Sequence, residues 1–109
     1  MKFNGKIWTI SDKDGRKLFG KGPYTLLKFI DETGSLNQAA KKMKMSYSKA
    51  FNVIKDCEEG IGKALLIREI GGAKGGGSQL TNEGKKLMEI YEDAERRFEE
   101  FLETLDYEI

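Results

Sequence analysis

Tyr47, Ser48, Lys49, Asn52 and Lys55 share the polar side of a stretch whose apolar residues recur at helical spacing. Their side chains are hydrogen-bonding or cationic, and of a size that reaches base edges or phosphates in a DNA major groove. Ser35, Asn37 and Gln38 place short polar groups at the start of a preceding helix, and Ser46 stands just before Tyr47. Downstream, Gly71-Gly72-Ala73-Lys74-Gly75-Gly76-Gly77-Ser78-Gln79 sets one cation among five glycines, which permit positive φ and close backbone approach. Other chemistries lack their residues. With no histidine and one cysteine, Cys57, the chain has no Ser-His or Cys-His nucleophile pair and no structural zinc set. A nucleotide-binding P-loop needs lysine and then Ser or Thr after its last glycine; here Lys74 precedes Gly75 and Gly77 is followed by Ser78-Gln79. The expectation is a protein that is not an enzyme and holds no cofactor.

Two helices and a tight turn must position these groups. Ser35 can cap the first, whose apolar face is Leu36, Ala39, Ala40 and Met43. Lys44-Met45 is the turn. Ser46 can cap the second, with a stripe of Ala50, Phe51, Val53, Ile54 and Cys57 that ends at Glu59-Gly60-Ile61-Gly62. The same pattern would also suit an ordinary helical hairpin with a solvated face.

The flanking segments supply the support. Residues 3–10, the turn Ser11 to Gly15 and Arg16 to Phe19 read as a β-hairpin. Its Ile7, Trp8, Ile10, Leu18 and Phe19 must pack elsewhere, because an isolated hairpin is marginal in water. Gly20 to Pro23 opens a helix with an apolar face of Tyr24, Leu26, Leu27, Phe29 and Ile30, closed at Gly34. Leu65, Leu66, Ile67 and Ile70 predict a short strand, the glycine run a loop, and Leu80 the start of a return strand. Strand, basic loop and return strand after two such helices make a wing.

Thr81, with Glu83 in the first turn, starts a last helix that runs to Leu105. Leu87, Tyr91, Ala94, Phe98, Phe101 and Leu105 lie 4, 3, 4, 3 and 4 apart, a heptad seam. This predicts pairing with the same helix of a second chain, a homodimer; folding back onto its own core is the alternative.

At 109 residues the chain reads as one domain: hairpin over 1–20, helical core and wing over 22–80, dimerisation helix over 81–109. Residues 1–80 hold 15 Lys and Arg against 8 Asp and Glu, a net of +7; residues 81–109 hold 4 against 10, a net of −6. A basic body and an acidic end fit a body that meets a polyanion. The start of the sequence has no signal-peptide pattern and no stretch is apolar enough to span a membrane, so a cytoplasmic setting without membrane contact is expected.

The Gly34-Ser35-Leu36-Asn37-Gln38-Ala39-Ala40-Lys41 and Met45-Ser46-Tyr47-Ser48-Lys49-Ala50-Phe51 stretches, followed by the run from Gly71 to Gly84, resemble the N-terminal DNA-binding domain of the ModE family of molybdate-dependent transcriptional regulators. More distantly they are similar to LysR-type helix-turn-helix domains. The resemblance covers residues 22–105. It implies an α+β winged helix-turn-helix and sequence-specific binding of double-stranded DNA, as a homodimer on an inverted repeat, to regulate transcription. Ser35, Asn37 and Gln38 are expected near phosphates and Tyr47, Ser48, Lys49 and Asn52 at base edges, with Ser46 and Lys55 beside them. Lys74, Gly75 and Gly76 are expected at a flanking phosphate or the minor groove. Lys44 departs from the glycine common at that turn. The family's molybdate-binding domains lie outside this sequence, so the resemblance carries no molybdate sensing here. A winged-helix module for protein–protein assembly is the alternative.

Overall fold

Side-chain hydroxyls start three of the helices. The computed structural model describes residues 1–69 and 77–109. In order these form β1 (Thr9–Ile10), β2 (Lys17–Phe19), α1 (Lys21–Thr33), α2 (Leu36–Lys42), α3 (Tyr47–Ile61), β3 (Leu66–Glu69), β4 (Gly77–Leu80) and α4 (Asn82–Glu103). The Ser35, Ser46 and Thr81 hydroxyl oxygens accept the N–H groups of Gln38, Lys49 and Gly84, satisfying donors that a first helical turn leaves open. Gly34 and Gly62 take left-handed backbone at the ends of α1 and α3.

α1, α2 and α3 enclose a core of Leu26, Leu27, Ile30, Leu36, Ala39, Ala40, Ala50 and Ile54. Ala39 and Ala40 are small enough for α1 and α3 to approach α2 closely. β3 and β4 pair antiparallel, Leu66 opposite Leu80 and Glu69 opposite Gly77, and bury Leu66 and Leu80. Leu80 therefore closes the return strand instead of starting it, because the strand begins at Gly77.

α3 ends at Ile61 with Gly62 as its cap, inside the Glu59-Gly60-Ile61-Gly62 stop that the sequence predicts, and Gly60 lies within the helix. A Cβ at Gly60 would come 2.3 Å from Leu18 Cδ2, so the absent side chain admits β2 against the helix. Lys44 keeps the turn a glycine would make, at φ 57°. For a residue with a Cβ this conformation costs about 1–2 kcal/mol.

The hairpin is shorter than its sequence suggests. β1 has two residues, and the chain before it runs along α4 instead. Lys2 bridges Asp106, Phe3 meets Tyr107 edge to face at 5.8 Å, and Gly5 lies against the Phe98 ring. Tyr91 Oη donates to the Ile7 carbonyl at 3.4 Å. Trp8 is not the expected anchor: it is 50% exposed, with the Lys17 ammonium 4.8 Å from its ring centroid.

Gly84 is the tightest point in the support of α4. A Cβ there would sit 2.5 Å from the Leu65 carbonyl oxygen, which is backbone and cannot rotate away. Alanine would gain up to about 1 kcal/mol of helix propensity, while overpacking costs about 1–3 kcal/mol. Gly84→Ala is expected to lose about 1–2 kcal/mol net, read as a lower urea midpoint; an unchanged midpoint would show that the contact is not close.

Candidate nucleic-acid interface

Across α2, its turn and α3 the polar residues lie at the surface. Asn37, Gln38, Lys41 and Lys42 of α2, Lys44 of the turn, and Ser46, Tyr47, Ser48, Lys49, Asn52 and Lys55 around α3 are all exposed. Ser35 is half-buried. From Thr33 to Lys55 the chain has five lysines and no Asp or Glu. Among the described residues, none of those lysines is in an ion pair. The Lys42 ammonium lies 5.2 Å from the Phe29 ring centroid.

The parts are held rigidly. Thr33 Oγ1 donates to the Phe29 carbonyl at 2.7 Å and accepts the Ser35 N–H at 3.2 Å, fixing the link from α1 to α2. With their lone pairs engaged in capping, the Ser35 and Ser46 hydroxyls keep a proton to donate. In the turn, Met45 N–H reaches the Ala40 carbonyl at 3.0 Å and Lys44 N–H the Lys41 carbonyl at 3.0 Å. Ser78 N–H donates to the Gly34 carbonyl at 2.9 Å, so β4 is tied beside the start of α2, where Asn37 and Gln38 stand. Nothing in the sequence announced that tie. Lys74, Gly75 and Gly76 lie outside the described residues.

Lys41, Lys42 and Lys44, which are not among the contact residues expected from the sequence, are exposed in the same stretch. The signal was countable: an acid-free run of 23 residues, from Thr33 to Lys55, in a chain that is 34% charged. The carboxylates resume in the last turns of α3. There Glu58 Oε2 accepts the Leu65 N–H at 2.8 Å, joining α3 to the wing's base. Cys57 lies in the core, 2% exposed. Burial, reinforced by the Asp56 and Glu58 carboxylates, pushes its thiol up to about 11, and its sulfur contacts the Leu18 carbonyl at 2.9 Å.

The acidic end is built differently. Arg96 pairs with Asp93 at 2.6 Å and Glu100 at 3.0 Å, and Arg97 with Asp93 at 3.1 Å. The heptad seam divides. Tyr91 is 3% exposed, its ring 5.6 Å from Phe19 and 5.1 Å from Tyr24, so it belongs to the chain's own core and not to a surface seam. Tyr24 Oη in turn donates to Glu92, while burial and that carboxylate push its phenol up to about 12. Leu87, Phe98 and Leu105 are half-buried, and Ala94 and Phe101 are exposed. Ile90, exposed on α4, joins Ile61, Leu65 and Leu87 around an open groove of about 370 Å³.

No helix among the described residues is long and apolar enough to cross a membrane. Residues 24–85 match the family described as bacterial regulatory helix-turn-helix protein, lysR family. The chain is 39% identical over 83 residues to the transcriptional regulator ModE of Haemophilus influenzae, covering 76% of this chain and 32% of that protein. It is 37% identical over 68 residues to the DNA-binding transcriptional dual regulator ModE of Escherichia coli, covering 62% and 26%. The chain thus spans about a third or less of the length of these curated relatives. ArgP of Mycobacterium tuberculosis shares the fold, with a TM-score of 0.57 and 23% identity over 77% of this chain and 30% of that one.

Proposed function

The chain belongs to the LysR-type bacterial regulatory helix-turn-helix family, and from that membership we propose that it binds double-stranded DNA sequence-specifically, as a homodimer, to regulate transcription. The observation that carries this reading is the run over α2, the turn and α3, from Thr33 to Lys55: five exposed lysines, no carboxylate, and exposed hydrogen-bonding groups between them. Polyanion binding favours unpaired cations on a surface free of like charge to the ligand. α3 is the reading helix, with Tyr47, Ser48, Lys49 and Asn52 at base edges and Lys55 farther along. Ser35, Asn37, Gln38 and Ser46 meet phosphates, and Lys74 with the Gly75 and Gly76 amides meets a flanking phosphate or the minor groove. The acidic end of α4 pairs with the partner chain and stays away from the duplex, and the two-fold sets an inverted-repeat site. The setting is the cytoplasm.

Asn52 tests the assignment. Its amide has the geometry for a bidentate contact to adenine, worth roughly 1–3 kcal/mol of discrimination. In competition binding between the preferred and a scrambled duplex, Asn52→Ala is expected to lose that much preference while its nonspecific affinity stays. Unchanged preference would take Asn52 out of the reading set.

A further inference from the structure

The geometry points to the C5 methyl of a thymine as the group that Tyr47 meets in the major groove. This rests on the DNA reading above and names the chemistry of one contact within it. Tyr47 is the first residue of α3, and recognition helices of this kind read bases from their N-terminal end. It is 48% exposed although large and aromatic. Its ring has a fixed neighbour: Phe51, one turn on, lies 6.3 Å away between centroids at an interplanar angle of 34°, and Phe51 packs against the core. The helix therefore presents a flat, held apolar surface at the position where a reading helix first meets DNA.

The hydroxyl can reach a phosphate or a base edge, but the ring face offers neither donor nor acceptor and is left for an apolar group. Base-edge donors and acceptors suit Ser48, Lys49 and Asn52. Among the standard bases, the apolar group in the major groove is the thymine methyl. The surrounding face agrees. A carboxylate is the side chain suited to the cytosine amino group, and none stands between Thr33 and Lys55. The Asn52 amide suits adenine, so ring and amide together favour A·T pairs.

The experiment takes the duplex that the parent chain selects from a random synthetic pool. Each thymine is then replaced in turn by deoxyuridine, which removes the methyl and keeps the pairing. Burying one methyl is worth about fourfold in affinity. The parent is expected to lose about that at one or more positions in each half-site. Tyr47→Ala, with its helical content checked by circular dichroism, is expected to show no such loss there. Tyr47→Phe is expected to keep it, because the ring and not the hydroxyl makes the contact. A parent that prefers its selected duplex over a scrambled one and is indifferent to every deoxyuridine would overturn the methyl contact while leaving the DNA reading intact. The same loss persisting in Tyr47→Ala would assign the methyl to another side chain. If the parent discriminates between no duplexes, the DNA reading fails and this contact falls with it.

Discussion

Lys41→Gln and Lys55→Gln combined in one chain are expected to weaken binding to every duplex alike, by roughly thirtyfold per subunit at 0.15 M salt. Each lysine that neutralises a phosphate contributes about −0.9 to the slope of log affinity against log salt, so the slope should become shallower by about two per subunit. The two lysines are exposed, stand in the carboxylate-free run from Thr33 to Lys55 and are outside the ion pairs of the described residues, while Lys49 is kept as a base reader. Removing them breaks no salt bridge seen there, and separating like charges does not threaten the fold. Lys42 is left in place because its ammonium sits over the Phe29 ring, and Lys44 because it holds the positive-φ turn. Titrations at four or five salt concentrations give the slope directly. An unchanged slope would mean that this stretch does not meet the polyanion. A loss confined to one sequence would make the lysines base readers.

What the sequence made legible was local. Ser35, Ser46 and Thr81 could be placed as caps because a hydroxyl two or three residues from an open N–H acts within one turn of chain. Gly34 and Gly62 end helices for an equally local reason, the low cost of left-handed backbone in glycine. The features that escaped depend on distant partners. Residues 3–10 read as the first strand from their β-branched and aromatic content, yet Phe3 and Gly5 find the end of α4 and the residues after it, about ninety or more residues away. Tyr91 carries the period of a seam, but period alone cannot say whether a stripe faces its own core or another chain. That was decided by Phe19 and Tyr24, whose rings take Tyr91 into the interior. The contact set suffers from the same limit. Tyr47 and Asn52 are placed by helix periodicity, whereas the alignment of β4 with the start of α2 through Ser78 and Gly34 needed the tertiary structure.

That division of the seam moves the proposed dimer surface. With Tyr91 buried, Leu87 packed against the core and Phe98 covered by the Gly5 backbone, the exposed apolar groups on α4 are Ile90, Ala94 and Phe101. Their spacing of 4 and 7 still follows the heptad, rotated from the inward row of Gly84, Tyr91 and Phe98. Ile90 is 49% and Phe101 57% exposed. Covering each with the matching helix of a second chain would stabilise by up to about 1.5–3 kcal/mol. Pairing along this row would set two α3 helices about one DNA turn apart, ~34 Å, or a multiple of it. Ile90→Glu with Phe101→Glu is therefore expected to give a folded monomer. Both side chains are already solvent-facing, so the fold loses little, whereas four carboxylates would meet across the two-fold. Operator affinity should fall by roughly a hundredfold or more, because the second half-site is no longer delivered at high effective concentration. Sedimentation of parent and variant at micromolar concentration checks the assembly, and circular dichroism checks the fold. A parent that sediments as a monomer would sink the dimer and with it the inverted repeat. A variant that remains dimeric would show that the two chains meet on another face.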